Sequence, residues 1–328
     1  VVQAMVVQRL GGPEVLELVE RPIPDPGPGE IRVRVVKTTV NFADIKARHG
    51  RYHGAGAPPF IPGLDVLGVV DALGAGVVGW REGERVIALP AAGSYAEYVV
   101  ADARLVYRVP DGVSDDDAAA CPIVGLTAYK LLMDVARMAT GEVVLVHAAG
   151  GGVGTTAVKL ARILGAGLVI GTVGGAAKEG AARAAGADHV VSYAEPGWSQ
   201  HVRDLTGGRG VDVVLDSVAG QVTAESMLCL APFGRMVNFG DASGETGLVK
   251  TQDLHSSCRA VLGFSLGTTR RHRPELLAGA AAAVMGYLAD GRLHMHIGAQ
   301  FPLASAAEAQ RLVESRQSTG KVLLTVAP

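Results

Sequence analysis

Val143-Val144-Leu145-Val146 runs straight into His147-Ala148-Ala149-Gly150-Gly151-Gly152-Val153-Gly154, and a helical pattern starts at once in Thr155-Thr156-Ala157-Val158-Lys159-Leu160-Ala161. A buried strand, a glycine turn and a helix in that order form the βα unit that binds a dinucleotide. Strict Gly-x-Gly-x-x-Gly fits nowhere here, but Ala149-x-Gly151-x-x-Gly154 fits with alanine in first place, and Ala148-x-x-Gly151-x-x-Gly154 is an alanine-led variant. Gly151 would let the backbone approach a pyrophosphate, and Gly154 would let helix pack on strand. The free N–H groups and positive end of the helix would hold the phosphates. The bland alternative is a tight turn of any α/β protein. A second apolar run, Leu168-Val169-Ile170-Gly171-Thr172-Val173, ends about 20 residues beyond Gly154, where an NAD-preferring site places an acid for the ribose. This chain has Gly174-Gly175-Ala176-Ala177-Lys178 there. With no carboxylate to repel a 2′-phosphate and a lysine one turn on, NADPH is the expected cofactor.

The other chemistry-bearing residues mostly exclude. Cys121, Cys229 and Cys258 are far apart and show no Cys-x-x-Cys, so neither a disulfide framework nor a thiolate zinc site is expected, and a reducing, cytoplasmic setting fits. His294-x-His296 puts two imidazoles on one face of a presumed strand with no third ligand nearby in sequence, so no metal is expected. Lys and Arg total 30 against 32 Asp and Glu, a formal charge of −2. That balance offers no field for polyanions, so neither nucleic acid nor a membrane surface is an expected partner. The one basic run, Arg270-Arg271-His272-Arg273, reads as a solvated loop before a helix. No charged leader with an apolar stretch opens the chain and no uninterrupted apolar span reaches membrane length, which predicts a soluble protein. A length of 328 residues predicts two domains.

Elements must position the turn and whatever it faces. Ala4-Met5-Val6-Val7, Leu16-Glu17-Leu18-Val19 and Ile31-Arg32-Val33-Arg34-Val35-Val36 read as strands, with an extended connection through Pro22-Ile23-Pro24-Asp25-Pro26-Gly27-Pro28-Gly29. Residues 41–50 read as a short helix, with Asn41 near its N-cap and Gly50 at its end. After a rigid loop at 58–63, strands at 64–70, 83–88 and 94–100 with frequent Gly and Pro predict a barrel or sandwich. Ser114 with Asp115, Asp116 and Asp117 opens a helix that Tyr129 to Met133 continues. Beyond the turn, strands at 189–191, 211–216, 235–239 and 260–263 alternate with helices, which predicts the strand order 3-2-1-4-5-6 with right-handed crossovers. Ligand would lie past the strand C-termini, where Asp216-Ser217-Val218 and Phe239-Gly240 arrive. In the tail, residues 274–288 form a helix stopped by Gly291, His294-Met295-His296-Ile297 resembles a strand, Ser305-Ala306-Ala307-Glu308 forms a capping box, and Lys321-Val322-Leu323-Leu324-Thr325-Val326 closes a sheet of the first domain.

With these residues in view, the whole chain resembles the medium-chain dehydrogenase/reductase superfamily, and within it the zinc-free quinone oxidoreductases, the group that includes ζ-crystallin. The likeness rests on the Pro-rich turn, Asn41-Phe42-Ala43-Asp44, Gly83-Glu84-Arg85-Val86, Gly125-Leu126-Thr127-Ala128-Tyr129, the stretch from His147 to Gly154, and Glu314-Ser315-Arg316. It implies an α/β protein: a GroES-like β-rich catalytic domain (1–124, completed by 266–328), a doubly wound Rossmann domain with a parallel six-stranded sheet (125–265), and a catalytic cleft between them. Zinc-dependent relatives carry Cys where this chain has Asn41 and Gly-His-Glu where it has Gly63-Leu64-Asp65. Leucine cannot coordinate a metal, and no thiol lies between Val86 and Ser94 to build a structural zinc lobe. The resemblance carries 2′-phosphate contacts onto Lys178, Tyr193 and Arg316, and places Thr127, Gly151, Gly152, Val153, Ser217 and Phe239 along the rest of NADPH; Ala148, Gly154 and Gly174 belong to the same cofactor set. Lys178 is otherwise a solvated helix residue, and Thr127 otherwise a helix cap.

The implied chemistry is hydride transfer from C4 of the dihydronicotinamide to a quinone or conjugated carbonyl, whose extended π system spreads the arriving charge. Asn41 and Tyr52 are the candidate donors to the acceptor oxygen, although an unperturbed phenol near pKa 10 is a modest acid and solvent can protonate the product. Asp44 either joins them or only orients neighbours as a first-turn helix acid. The loop at 51–56 would close part of the substrate mouth. Three readings stand: an NADPH:quinone reductase, an alkenal or enone reductase, and a non-catalytic NADPH binder of structural or RNA-binding type. Family analogy adds a homodimer joined near residues 261–266.

Overall fold

The structure, a computed structural model, describes residues 1–52 and 56–326. The chain divides into two compact units, Val1–Leu126 with Thr268–Pro328, and Thr127–Gly267.

In the first unit, β1 (Val2–Val7) and β2 (Leu16–Arg21) form an antiparallel hairpin. The long β3 (Glu30–Val40) is followed directly by helix α1 (Phe42–Arg48), then by β4 (Val66–Leu73), β5 (Arg85–Ala88), β6 (Tyr98–Asp102) and β7 (Val106–Arg108). β7 has too few residues to show a period, and no sequence pattern announced it. β3 organises this sheet. Its first half lies between β4 and β6, and register shifts near Arg32 and Val35 let its second half continue beside β4 after β6 has ended. Ile31, Val33 and Val35 turn inward with Val66, Val86 and Val106 to form the core. Helix α2 (Asp115–Tyr129) begins where Ser114 Oγ accepts the N–H of Asp117 at 3.1 Å, and runs on as a π-helix, Lys130–Val135. The combined helix Asp115–Val135 is long and apolar enough to pass as a membrane span, contrary to the expectation that none would. Most of that stretch is buried inside the fold and it opens with three aspartates, so its apolarity serves the core. Thr127 lies within α2 and is no cap.

The second unit is doubly wound. β8 (Val143–Val146), α3 (Gly152–Ile163), β9 (Leu168–Val173), α4 (Glu179–Ala184), β10 (His189–Ser192), α5 (Trp198–Leu205), β11 (Val211–Asp216), α6 (Gln221–Cys229), β12 (Leu230–Asn238), α7 (Thr251–His255) and β13 (Ala260–Gly263) follow in order. The sheet is β10-β9-β8-β11-β12-β13 with every pairing parallel, the 3-2-1-4-5-6 arrangement expected. Leu145, Ile170 and Val214 pack under Trp198, Val202 and Met227 of the flanking helices.

The chain then returns to the first unit through α8 (Leu266–His272), α9 (Ala278–Ala289), β14 (Ile297–Pro302), α10 (Ala306–Glu314) and β15 (Lys321–Thr325). β15 lies between β14 and the second half of β3. Three expectations need correction here. Arg270, Arg271 and His272 of the basic run form the last turn of α8, where cations suit the helix dipole, and only Arg273 lies in the connection beyond it. β14 starts only at Ile297, because His294 and Met295 are drawn onto the Asp117 carboxylate, which accepts the Met295 N–H at 2.6 Å. Ser305 forms no capping bond; a 3₁₀ turn, Leu303–Ser305, leads into α10, so Ser305 is already coiled and off the extended geometry a cap requires.

Candidate active site

In the second unit the chain leaves β8 at His147, whose N–H bonds Leu215 O on the neighbouring strand. Ala148 is left-handed (φ 51), a conformation costing an L-residue about 1–2 kcal/mol. That turn brings Ala148 O onto the N–H of Gly151 at 3.0 Å and aims α3 back along the sheet. Gly151 is the N-cap of α3 and offers no side chain to its first turn. The amides of Gly152, Val153 and Gly154 are therefore presented outward at the positive end of the helix. A Cβ on Gly151 would meet only Ala148 O, at 3.4 Å, whereas a Cβ on Gly154 would lie 2.7 Å from Ala149 Cα and closer still to Ala148 O. Open space at Gly151 and close packing at Gly154 are what phosphate approach and helix–strand contact require.

The end of β9 is built around the same turn. Gly150 sits against Lys178, whose Cβ is 2.8 Å from where a Gly150 Cβ would be, and Gly174 faces the Tyr193 hydroxyl, 2.8 Å from its own missing Cβ. Lys178 and Tyr193 are thus brought to the mouth of the turn, with no acid between Val173 and Lys178. Ser217 and Phe239 stand at the ends of β11 and β12, held by the Phe239 N–H on Asp216 O at 2.9 Å. Asp216 itself is fully buried and accepts from Val218 N, Ala219 N and Thr223 Oγ1. Arg316 belongs to the first unit, exposed and left-handed (φ 61) just beyond α10.

One residue of the motif has a role that the sequence does not announce. His147 is buried and bonds Thr172 Oγ1 at 2.6 Å and Ser226 Oγ at 2.7 Å. Ser226 donates its own proton to Val222 O, so it must accept from His147 Nε2–H, and Nδ1 accepts from Thr172. Burial pushes the imidazole down to about 4, which keeps it neutral and keeps β8, β9 and α6 tied together.

In the first unit, the ladder register assembles the acceptor-side candidates. β3 pairs β4 as far as Thr38 with Val66, and β15 pairs β3 from Val322 with Val40, so the chain just past these pairs brings Thr39 and Asn41 up to Asp65 and Lys321. Asp65 is fully buried, accepts Thr39 Oγ1 at 2.8 Å and Asn41 Nδ2 at 3.0 Å, and lies 3.9 Å from Lys321 Nζ. Lys321 Nζ donates to Asn41 Oδ1 at 2.7 Å. Asn41 is therefore locked in one orientation, its C=O polarised by an ammonium and its Nδ2 donating to Asp65 Oδ1 and, at 3.4 Å, to Thr39 Oγ1. Burial pushes Asp65 up and Lys321 down, each partly countered by the other's charge. Asp44 is the N3 acid of α1 and accepts Asn41 N–H at 2.8 Å and Gly63 N–H at 3.2 Å; burial, with Asp65 nearby, raises it to about 7. Its oxygens accept these two backbone N–H groups and, at 3.4 Å, the Tyr95 hydroxyl. Tyr52 is half-buried, while His53, Gly54 and Ala55 of its loop lie outside the described residues.

Residues 152–282 match a family model described as zinc-binding dehydrogenase, and residues 27–111 match the alcohol dehydrogenase GroES-like domain. Among curated proteins, a quinone oxidoreductase of Pseudomonas aeruginosa is 36% identical over 96% of this chain and 96% of its own length. A 2-haloacrylate reductase of Burkholderia is 36% identical over 98% of both. The solved structure of Escherichia coli quinone oxidoreductase complexed with NADPH is 33% identical, with a TM-score of 0.89 over 99% of this chain and 100% of that one. The chain is a medium-chain dehydrogenase/reductase. It falls with the zinc-free quinone oxidoreductases, and its two folds are the GroES-like and Rossmann ones.

For this oxidoreductase the words zinc-binding describe the fold and do not fit the donor set. At the positions equivalent to zinc ligands, Leu64 offers carbon, Asn41 and Asp65 are bonded to each other, and an ammonium sits against both. A dication there would face Lys321 at close range. Among the described residues no group of three or more His, Cys, Asp or Glu could hold a metal. The β8–α3 turn, by contrast, does fit a dinucleotide phosphate, with an uncapped helix start, a clear approach at Gly151 and a cationic side chain beside it. Lys321 escaped sequence reading because the β15–β3 pairing alone brings it to Asn41.

Proposed function

We propose that this oxidoreductase passes a hydride from NADPH to a quinone. The observation that carries the reading is the Asn41 amide, pinned by Asp65 and Lys321 where zinc relatives hold a metal, so that a polarised N–H donor is the available electrophile. NADPH supplies the hydride from its nicotinamide when bound. Gly151, Gly152, Val153 and Gly154 would receive its pyrophosphate, Lys178, Tyr193 and Arg316 its 2′-phosphate, and Thr127, Ala148, Gly174, Ser217 and Phe239 the remainder. Asn41 Nδ2 and the Tyr52 hydroxyl would donate to the acceptor oxygen, which becomes more basic as charge arrives, and solvent would deliver the final proton. A cytoplasmic homodimer paired through the exposed edge at β13 completes the reading; β13 is the edge strand of its sheet.

NADPH oxidation in the presence of 1,4-benzoquinone tests it. The wild type is expected to turn over, and Tyr52→Phe to lower kcat about tenfold, the worth of one hydrogen bond to a charged oxygen, while leaving the Kd for NADPH unchanged. Unchanged kcat would leave Tyr52 without a chemical role, and no oxidation with quinones or enones would leave a binding protein. An alkenal or enone reductase is the second reading, and parallel rates on quinones and alkenals separate the two.

Coenzyme selectivity gives an independent expectation. Two or three charged contacts to the 2′-phosphate, each worth about 1.5–3 kcal/mol, predict that NADPH binds at least about 100-fold tighter than NADH. Lys178→Ala should remove about tenfold of that preference in a fluorescence titration and leave NADH affinity as it was. Equal affinity for both coenzymes in the wild type would remove the 2′-phosphate site.

A further inference from the structure

Ala4 on β1 and Ala96, just ahead of β6, stand opposite each other in a bridge that widens the β1–β2 hairpin: the Met5 N–H bonds Tyr95 O at 2.8 Å and the Glu97 N–H bonds Gln3 O at 3.1 Å. Side chains two apart along a strand share a face, so Val2 lies beside Ala4, Tyr98 lies beyond Ala96, and Arg21, the register partner of Val2, joins them. Two alanines in the middle of a face that carries larger residues on either side leave a hollow. Its volume is about 270 Å³, with Ala4 and Ala96 buried at its floor and Pro22, Pro24 and Ile61 around it.

The proline side of the hollow is held in place. The rings of Pro22 and Pro24 fix their own φ angles, Arg32 Nη1 donates to Pro24 O at 3.2 Å, and Arg32 Nε is itself held by Asp71 Oδ2 at 2.6 Å. The same guanidinium lies 5.9 Å from the centre of the Tyr98 ring and braces it. Among the described residues Arg21 is the one charged side chain on the lining, and it forms no ion pair. Arg32 already faces Asp71 and Asp25. The acids next to this face, Glu20 and Glu97, alternate to the other side with Gln3, and Glu97 accepts the Gln3 N–H at 2.8 Å. An apolar hollow with one uncompensated guanidinium at its rim is therefore what the register produces.

We propose that this hollow is a binding site for a small aromatic carboxylate, its ring against the prolines and Tyr98 and its carboxylate on Arg21. Sites for drug-sized molecules begin at about 300 Å³, so the space suits one substituted ring or a fused pair. Flat proline and tyrosine faces match a flat ring, and the guanidinium fork matches the two oxygens of a carboxylate. A neutral ring gains the apolar contact alone. Because the proline side is already held, little ordering cost is charged against binding. None of the lining residues belongs to the acceptor-side group around Asn41 or to the coenzyme set, so binding here involves neither NADPH nor hydride transfer.

Binding of 2-naphthoate and of its neutral counterpart 2-naphthamide to the full chain, measured by ligand-observed NMR, tests this without turnover. The wild type is expected to hold the acid at least about tenfold tighter than the amide. Arg21→Met should bring the acid down to the amide and leave the amide unchanged, while Arg21→Lys keeps part of the preference. Arg21 ends β2 and has no ion pair to lose, so its removal spares the fold. Val100→Trp, at a half-buried lining position, should fill the space and weaken both ligands at least about tenfold. Circular dichroism melting reports whether each variant folds; should Val100→Trp fail to, Arg21→Met decides alone. Saturating NADPH should leave both affinities as they were. No saturable binding of 2-naphthoate, equal binding of acid and amide by the wild type, a preference that survives Arg21→Met, unchanged binding by folded Val100→Trp, or displacement of the acid by NADPH would each overturn the assignment.

Discussion

Gly154→Ala is expected to destroy nucleotide binding and lower the melting temperature, whereas Gly151→Ala, three residues away, should do only the first. The new methyl group at 154 would stand 2.7 Å from Ala149 Cα and nearer to Ala148 O, both main-chain atoms that no rotamer change can move aside. Overpacking of this kind costs about 1–3 kcal/mol and shifts the turn it strikes. At Gly151 the backbone is extended (φ −88, ψ −178) and the nearest neighbour is Ala148 O at 3.4 Å, so alanine is tolerated by the free protein. Its methyl group would occupy the space through which a pyrophosphate must come. NADPH titration should therefore show both variants weakened at least about tenfold, while calorimetry shows only Gly154→Ala destabilised. A Gly151→Ala protein with wild-type NADPH affinity would mean that the phosphates lie elsewhere.

The second large effect is expected at Lys321. Lys321→Met keeps the volume of an apolar stem but leaves Asp65 buried beside Asn41 and Thr39 with its cationic neighbour gone, and Asp44, raised to about 7 in part by Asp65, loses the same charge. Removing one member of a buried pair costs about 3–5 kcal/mol, because the surviving charge has no water to return to. Denaturant unfolding should show that loss. The double variant Lys321→Met with Asp65→Asn should recover most of it, since the uncompensated charge is then absent. Equal stability of the single and double variants would mean that Lys321 acts through packing alone. The same substitution frees Asn41 Oδ1, so kcat on any acceptor should fall further than the fraction unfolded explains.

Much was legible because it is local. The β8–α3 turn, α1 between Asn41 and Gly50, and each strand of the doubly wound sheet follow from periodicity and punctuation within a dozen residues, and the parallel order follows from chirality. What misled was also local. The alternation in His294-Met295-His296-Ile297 predicts a strand, but Asp117, far off in sequence, accepts the backbone N–H of Met295. The Ser305-x-x-Glu308 spacing is that of a capping box, but the chain enters it already coiled. Most of the basic run is set in a helix whose Arg270 is turned to carbonyls that only the β4–β5 register exposes together.

The amino-acid order alone determined the dinucleotide turn, the absence of an acid between Val173 and Lys178, and a carbon side chain at Leu64 where a metal would need a donor. These depend on backbone chemistry within one βα unit or on the identity of one residue. Only the folded chain decided that Lys321 meets Asn41, 280 positions away, that Asp65 orients the Asn41 amide, and that His147 is neutral with its proton on Nε2. Those depend on strand register and burial, and a one-residue slip in β15 would have turned Lys321 to the other face of the sheet.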